Sequence, residues 1–453
     1  MDIINIIKEA LIKINIEGFI VGGYLRDSYL KEKSKDIDIA VSDKIEELIK
    51  MLEEKGIRFF LLSDSDKIYR ANYNNSLIDI TIIRGKSIYE DLMKRDFSIN
   101  SIALSLQDDK IIDTEKGIAD IENKILRTND KDRIKEDPVR ILRGIRFILK
   151  YGFTLDNNTK DSFKEFACKI KESKKERKFM EFMKIIEEDT DGVCFSVMDK
   201  LGVLEYIIPY SKENKTIGKC KYHVEDALTH MITTYKTFRC FMKGEIELNI
   251  DTEGLFRENI SFFSLKYYQA LAAFIHDIGK YTCYNKKGDK ITFYDHQIKG
   301  EEIAVSFLQD YGFPKKAEKF ISNLVLGHME PLIIFKSRDT NKQYLKFFRK
   351  YQDFTPYIII LSFCDVYATG LYYDPEDEIV LYKSFIEYLY AEFLRYKDII
   401  QNPVISAVDL IAAKGLEGRK IKEAVDLINE KTYLGEVKDK FQALNIIKGR
   451  SKI

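Results

Sequence analysis

The chain has no tryptophan, seven prolines and six cysteines among 453 residues, and its 73 basic residues cancel 73 acidic ones. Each scarcity excludes something. The cysteines (Cys168, Cys194, Cys220, Cys240, Cys283, Cys364) are scattered without a CxxC pair, so neither a disulfide framework nor a zinc ribbon is expected, and reduced thiols in a cytosol are. Zero net charge rules out wholesale electrostatic attraction, so any nucleic-acid partner must meet a local basic surface. No apolar run approaches the roughly 18 residues that span a bilayer. The opening "MDIINIIKEALIKI" has the spacing of an amphipathic helix, not of a signal peptide. What remains is an ordinary soluble composition, 45% apolar and 32% charged, long enough for two to four domains.

The first ~125 residues alternate strand-like and helical patterns. "GFIV", "DIDIAV", "RFFLL", "LIDITII" and "SIALSL" read as short strands, and "KIEELIKMLEEKG" reads as a helix among them. After about residue 136 the periodicity is helical, as in "DPVRILRGIRFILKYG" and "ERKFMEFMKIIEE". Apolar helical runs continue to about residue 393, and Pro403 opens a small C-terminal unit. The fold expected is α+β: a mixed-sheet head followed by a long helical body.

Within "GFIVGGYLRDSYLKEKSKDIDIAVS", Asp36 and Asp38 stand two apart on a strand and therefore share a face. Parallel carboxylates repel unless a cation sits between them, and hard oxygen ligands suit Mg²⁺. Asp79 in "LIDITIIRG" offers a third acid for a two-metal phosphoryl-transfer site. Gly22 and Gly23 permit close backbone approach, and Arg26 adds charge at the start of the next helix. A solvated polar strand face explains the same acids equally well. "RGKS" is not a phosphate loop, because Ile80 occupies the place of its first glycine.

The ordered set "GGYLRD…DIDIAV", "LMKRDFSINSIAL", "IIDTEKGIADIENKILRT", "EDPVRILRGIRF" and "ERKFMEFMKII" resembles the class II tRNA nucleotidyltransferase and bacterial poly(A) polymerase family. The resemblance implies a nucleotidyltransferase head over residues 1–126 and a helical neck over 127–215. It also implies a body over 216–395, a helical tail over 396–453, and Mg²⁺-dependent addition of nucleotides to an RNA 3′ end without a template. It assigns Asp36 and Asp38 to Mg²⁺, and Asp79 beside them where the family usually has Glu. Gly22, Gly23, Arg26 and Arg95 are assigned to the nucleotide; Lys94 replaces a usual Arg and loses its fork. Asp137 and Arg140 would select C and A through an exocyclic amine and a ring nitrogen. Arg143 and Arg146 would face phosphate. Residues 131–184 hold 16 Lys/Arg against 9 Asp/Glu, the local basic excess an RNA backbone needs.

All five histidines lie in the helical body. "FIHDIGK" places His276 and Asp277 on an apolar helix, and the order His230, His276–Asp277, Asp365 resembles that of the HD phosphohydrolase superfamily. His296 and His328 stand where its two-metal members have further ligands. Such a set suits Mn²⁺, Fe²⁺, Ni²⁺ or Zn²⁺. His223 is left over, structural or RNA-contacting. In the tail, Gly415 and Gly418 before Arg419 and Lys420 fit either an RNA phosphate or a plain helix cap.

The leading expectation is a cytoplasmic enzyme adding CTP, CTP and ATP to the tRNA 3′ end, with no membrane or protein partner implied. CC-only, A-only and poly(A) addition share the head motifs. A protein uridylyltransferase also precedes an HD domain with such a head, yet too little chain follows Asp365 for its ligand-sensing domains. A bare phosphohydrolase with an inert head is disfavoured by the intact Asp36 and Asp38.

Overall fold

The computed structural model describes residues 3–34, 36–64, 67–218, 224–288, 290–337, 341–374, 377–414 and 417–449. His223 and Gly415 lie outside them. The chain divides into two compact units, residues 1–189 with 197–207, and 190–196 with 208–453. The expected head, 1–126, and most of the expected neck, 127–215, fall in the first unit, and the expected body and tail fall in the second.

The first unit is built on seven strands: β1 (Gly18–Val21), β2 (Asp36–Val41), β3 (Phe60–Ser63), β4 (Ile68–Tyr73), β5 (Ser76–Ile82), β6 (Ile102–Ser105) and β7 (Ile111–Asp113). Their order is β3-β4-β5-β2-β1-β6-β7. Only β2 and β5 run parallel; the other neighbours are antiparallel. The helix Ile45–Glu54 leads away from β2, with Ile45, Leu48, Ile49 and Leu52 buried at helical spacing. Helix Ile3–Ile14, buried through Ile3, Ile6, Ile7, Ala10, Leu11 and Ile14, packs against it. Strands β4 and β7 escaped the sequence reading. Ala71 is the sole fully buried residue of β4, and β7 has none, so neither carries an alternating apolar signal.

Helix Val139–Tyr151 follows a short helix, Lys131–Glu136, and packs on Lys175–Glu188. Phe147 and Ile145 on one side and Phe182, Met183 and Ile186 on the other are buried.

The second unit is helical apart from two short ribbons, Asn259–Ile260 with Phe263–Ser264 and Asn285–Lys287 with Lys290–Thr292. Helices Ala227–Met242, Leu265–Ile275, Lys315–Gly327 and Thr355–Gly370 pack around a common apolar interior, and His296–Asp310 lies against Lys315–Gly327. The C-terminal helices have a core of their own, including Ile405, Leu410, Ala424, Ile428 and Ala443. Among the described residues, no helix is long and apolar enough to cross a membrane.

Candidate functional sites: a carboxylate–arginine cavity and a histidine–aspartate cluster

In the first unit, the parallel register of β2 and β5 sets Asp38 directly beside Asp79. Val21, the last residue of β1, pairs with Asp38 on its other side. The chain then turns at Gly22, whose φ of +75° suits glycine; a side chain there would press on Asp38 Oδ2 at 3.2 Å and Arg95 at 3.1 Å. These residues open into a cavity of about 710 Å³ that also takes in Gly23, Arg84, Arg95, Asp137, Arg140 and Arg143.

Burial pushes the Asp38 carboxyl up, Asp79 adds to the effect, and Arg95 and Arg143 oppose it. A carboxylate driven toward its proton by burial and a like neighbour is a group that a cation relieves, and an all-oxygen set fits Mg²⁺. Asp79 is already balanced. Arg70, opposite it on β4, donates to both its oxygens at 2.7 and 2.6 Å. Asp36 is exposed at the start of β2 and is not among the residues lining the cavity. Asp36, Asp38 and Asp79 do not converge as closely as the second unit's ligand groups do.

Arg26 points elsewhere. It is buried, donates to Asp27, Asn100 and the Tyr151 hydroxyl, and lies over the Phe147 and Tyr151 rings, outside the cavity lining. It ties its helix to the neck helix.

The three-residue spacing of Asp137, Arg140, Arg143 and Arg146 winds by about 60° per step on a helix, so the ridge cannot keep one face. Asp137 sits at the junction between helices, Arg140 and Arg143 face the cavity, and Arg146 has turned away to Glu181 at 3.0 Å. Arg143 pairs with Asp96 at 3.1 Å. Burial opposes charge on Asp96, but Arg143 and Asn100 outweigh it and hold its carboxyl below the usual range. Burial pulls the Arg140 guanidinium down. Arg177 donates to both oxygens of Asp137 at 2.9 and 2.6 Å. Neither Arg70 nor Arg177 was singled out from the sequence. Arg177 lies 40 residues from Asp137, and nothing in local spacing pairs them.

In the second unit, His276 and Asp277 were expected on an apolar helix. The helix instead stops at Ile275, and both residues lie in the turn beyond it. Gly279 explains the turn: a β-carbon there would come within 2.2 Å of the His296 carbonyl oxygen, so only glycine lets the two segments meet. His296 opens its own helix, His328 follows the end of Lys315–Gly327, and Asp365 and His230 project from helix interiors. All six residues are buried and gather around Asp277.

Asp277 is its centre. Its Oδ2 lies 3.1 Å from His276 Nε2 and 3.4 Å from His230 Nε2, while its Oδ1 lies 3.1 Å from His296 Nε2 and 3.6 Å from His328 Nε2. Asp365 Oδ1 is 2.9 Å from His230. Two groups result, His230–His276–Asp277–Asp365 and Asp277–His296–His328, each with its ligand atoms within 4.8 Å of one another.

The Nδ1 atoms of His276, His296 and His328 donate to the carbonyls of Ala273, Phe293 and Val325. A carbonyl can only accept, so the neutral rings turn Nε2 lone pairs inward, the tautomer that metal ligation needs. His296 and His328 then bring two Nε2 atoms to 3.2 Å, a contact that requires a proton or a metal cation between them. Burial pushes the His328 imidazole down, favouring its neutral form. Burial also disfavours charge on His276, yet Asp277 and Asp365 prevail and hold it up to about 10. Both aspartates stay well below the carboxylate range: burial opposes their charge, but Lys280 and His276 outweigh it at Asp277, and His230 and His276 at Asp365. The mixed imidazole–carboxylate set fits a divalent first-row metal.

The family model of the poly(A) polymerase head domain matches residues 18–91 and 84–127. That of the probable RNA- and SrmB-binding site of polymerase A matches residues 152–214. The two models together span the head and most of the neck, and both describe parts of polymerase A. An HD domain matches residues 267–370, which hold His276, Asp277, His296, His328 and Asp365 but not His230.

Among curated relatives, a CCA-adding enzyme of Bacillus subtilis is 32% identical over 195 residues, 40% of this chain and 49% of the relative. A CC-adding tRNA nucleotidyltransferase of Halalkalibacterium halodurans is 30% identical over 206 residues, 45% of this chain and 54% of the relative. The chain thus spans about half the length of the curated relatives it matches. Two solved structures share the fold throughout. A CCA-adding enzyme complexed with CTP superposes with a TM-score of 0.69 at 20% identity, over 100% of this chain and 97% of that one. The Thermotoga maritima CCA-adding enzyme complexed with tRNA gives 0.65 at 20% identity, over 99% and 94%.

Proposed function

We propose that the protein is a cytoplasmic nucleotidyltransferase that adds CTP, CTP and ATP to the 3′ end of tRNA without a nucleic-acid template. The observation that carries this reading is one cavity holding both chemistries. Asp38 and Asp79 stand side by side at its sheet wall, and Asp137 and Arg140 stand at its helical wall. Asp36 and Asp38, assisted by Asp79, hold Mg²⁺. When bound, Mg²⁺ acidifies the attacking 3′-hydroxyl and offsets the charge of the triphosphate. The Gly22–Gly23 turn admits the nucleotide close to the backbone, and Arg95, Arg84 and Arg143 supply cations along its phosphates. Asp137 accepts from the exocyclic amine of C or A while Arg140 donates to the ring acceptor, which excludes U and G. Residues 127–215 serve as the neck that reads base and RNA, and 396–453 as the tail.

The five HD-domain histidines and aspartates, with His230 from the preceding helix, would hold divalent transition metal for the hydrolysis of phosphoesters in a second site. His230, His276, Asp277 and Asp365 make one ligand set, and His296 and His328 extend it around Asp277.

The decisive experiment incubates the protein with Mg²⁺, each nucleoside triphosphate and a tRNA lacking its terminal CCA. Ordered addition of C, C and A followed by a stop is the expected result. A long A tract would reassign the chain to poly(A) synthesis. Arrest after the second C would place it with the CC-adding relative in Halalkalibacterium halodurans.

A further inference from the structure

Three side chains in and beside the helix Ile88–Met93 fasten the turn that precedes it. Asp91, 2% exposed, accepts from the Arg84 backbone N–H through Oδ1 at 3.0 Å. Glu90 accepts from the Lys86 backbone N–H at 3.1 Å, and the Lys94 ammonium donates to the Arg84 carbonyl at 3.3 Å. The other oxygen of Asp91 serves a side chain one helical turn further on. Arg95 donates to Oδ2 through Nε at 3.0 Å and through Nη2 at 2.8 Å. One buried carboxylate thus grips the backbone of Arg84 and the guanidinium of Arg95, and both arginines line the nucleotide-sized cavity of the first unit.

This grip leaves Arg95 a single uncommitted nitrogen, Nη1, and that atom lies against the glycine turn. A β-carbon on Gly22 would stand 3.1 Å from Nη1 and 3.2 Å from Asp38 Oδ2, so the guanidinium and the strand acid flank one backbone position. Opposite charges this close attract, and an arginine side chain is long enough to follow the attraction. Arg95 is kept to its own side because Asp91, buried where water competes poorly, already holds two of its nitrogens.

Resting on the nucleotidyltransferase reading above, we propose that Asp91 is a positioning residue for triphosphate recognition. It holds the Arg95 fork off Asp38, presents Nη1 to the phosphates, and keeps Arg84 at the same wall. Asp38 thereby stays open to a cation, while the phosphates meet donors already ordered before binding. Asp91 itself touches neither nucleotide nor metal.

The test titrates CTP and CMP into the full chain by calorimetry, with Mg²⁺ and without tRNA, so that no transfer follows. Asp91→Asn keeps the shape of the side chain but loses the charge that holds Arg95. CTP affinity is expected to fall by about tenfold and CMP affinity by no more than about twofold, because the loss grows with the phosphates and spares the base contacts. Arg95→Lys keeps the charge without the fork and gives the same pattern. In an Arg95→Ala background, Asp91→Asn weakens CTP by no more than about a further twofold, since the group it positions is gone. Equal losses of CTP and CMP in Asp91→Asn would make Asp91 a support of the fold and overturn the inference. An unchanged CTP affinity, or a full second loss in the Arg95→Ala background, overturns it too. Should Asp91→Asn not fold, Arg95→Lys decides by the same comparison of the two nucleotides. A wild type that binds neither nucleotide with Mg²⁺ sinks the nucleotidyltransferase reading itself, before any variant is made.

Discussion

The two sites solve the same problem, crowding negative or metal-ligating groups together, in opposite ways. The sheet site sets Asp38 and Asp79 on adjacent parallel strands, opens them to a cavity, and balances the acids of that cavity with arginines: Arg70 on Asp79, Arg143 on Asp96, Arg177 on Asp137. The HD cluster buries its ligands, draws them from five separate segments, and joins them through a shared aspartate. Open carboxylates with arginine partners can exchange a charged substrate, because solvent and mobile side chains compensate each arrival. A buried cluster tolerates no such change unless another charge moves with it. The first arrangement suits turnover of triphosphates, and the second suits a resident metal.

Removing one ligand from each site separates them most strongly. Asp38→Asn is expected to cut C addition to a tRNA lacking CCA by about a thousandfold, since several kcal/mol of charge stabilisation is lost. Hydrolysis of a chromogenic phosphodiester with Mn²⁺ stays unchanged in that variant. His276→Ala does the reverse. Loss of both activities in either folded variant would erase the contrast.

The HD cluster has a pH signature of its own, carried by an imidazole and not by a carboxyl. His276, held up to about 10 from 6.5 in the folded chain, adds stability in full below pH 6.5 that is lost as pH rises through 10. In metal-free protein, thermal denaturation at stepped pH therefore shows a falling midpoint across that window. Metal ligation requires the same proton to leave, so Mn²⁺ affinity strengthens with pH, by up to about tenfold per unit. A flat profile would mean that the cluster does not hold this proton.

The smallest effect is expected at Arg177, a half-exposed partner of Asp137. Arg177→Ala loosens the acid without removing it, and selection of C over U drops by no more than about fivefold in competition assays. A larger loss would make Arg177 part of the base-reading set.

How much of this was legible beforehand differs between the sites for a physical reason. The sharing of a face by Asp36 and Asp38 follows from the two-residue period of a strand, and β2 forms where expected. The helix carrying Arg140, Arg143 and Arg146 was legible, whereas its three-residue steps rotate Arg146 away from the cavity to Glu181. Arg26 looked like a phosphate ligand by its place after the glycines; packing against Phe147 and Tyr151 turned it inward. The turn at His276 was hidden by the apolar run before it.

The residue types themselves determined the chemistry. Acids at strand spacing, a local basic excess, and five histidines confined to one half of the chain set out an oxygen-ligand site and an imidazole site before any folding is considered. Tertiary structure decided which charges meet. Arg70 and Arg177 each acquired its carboxylate partner only when the chain folded. Spacing along a chain constrains neighbours within a few residues, whereas ion pairing is settled by whatever segments the core brings side by side.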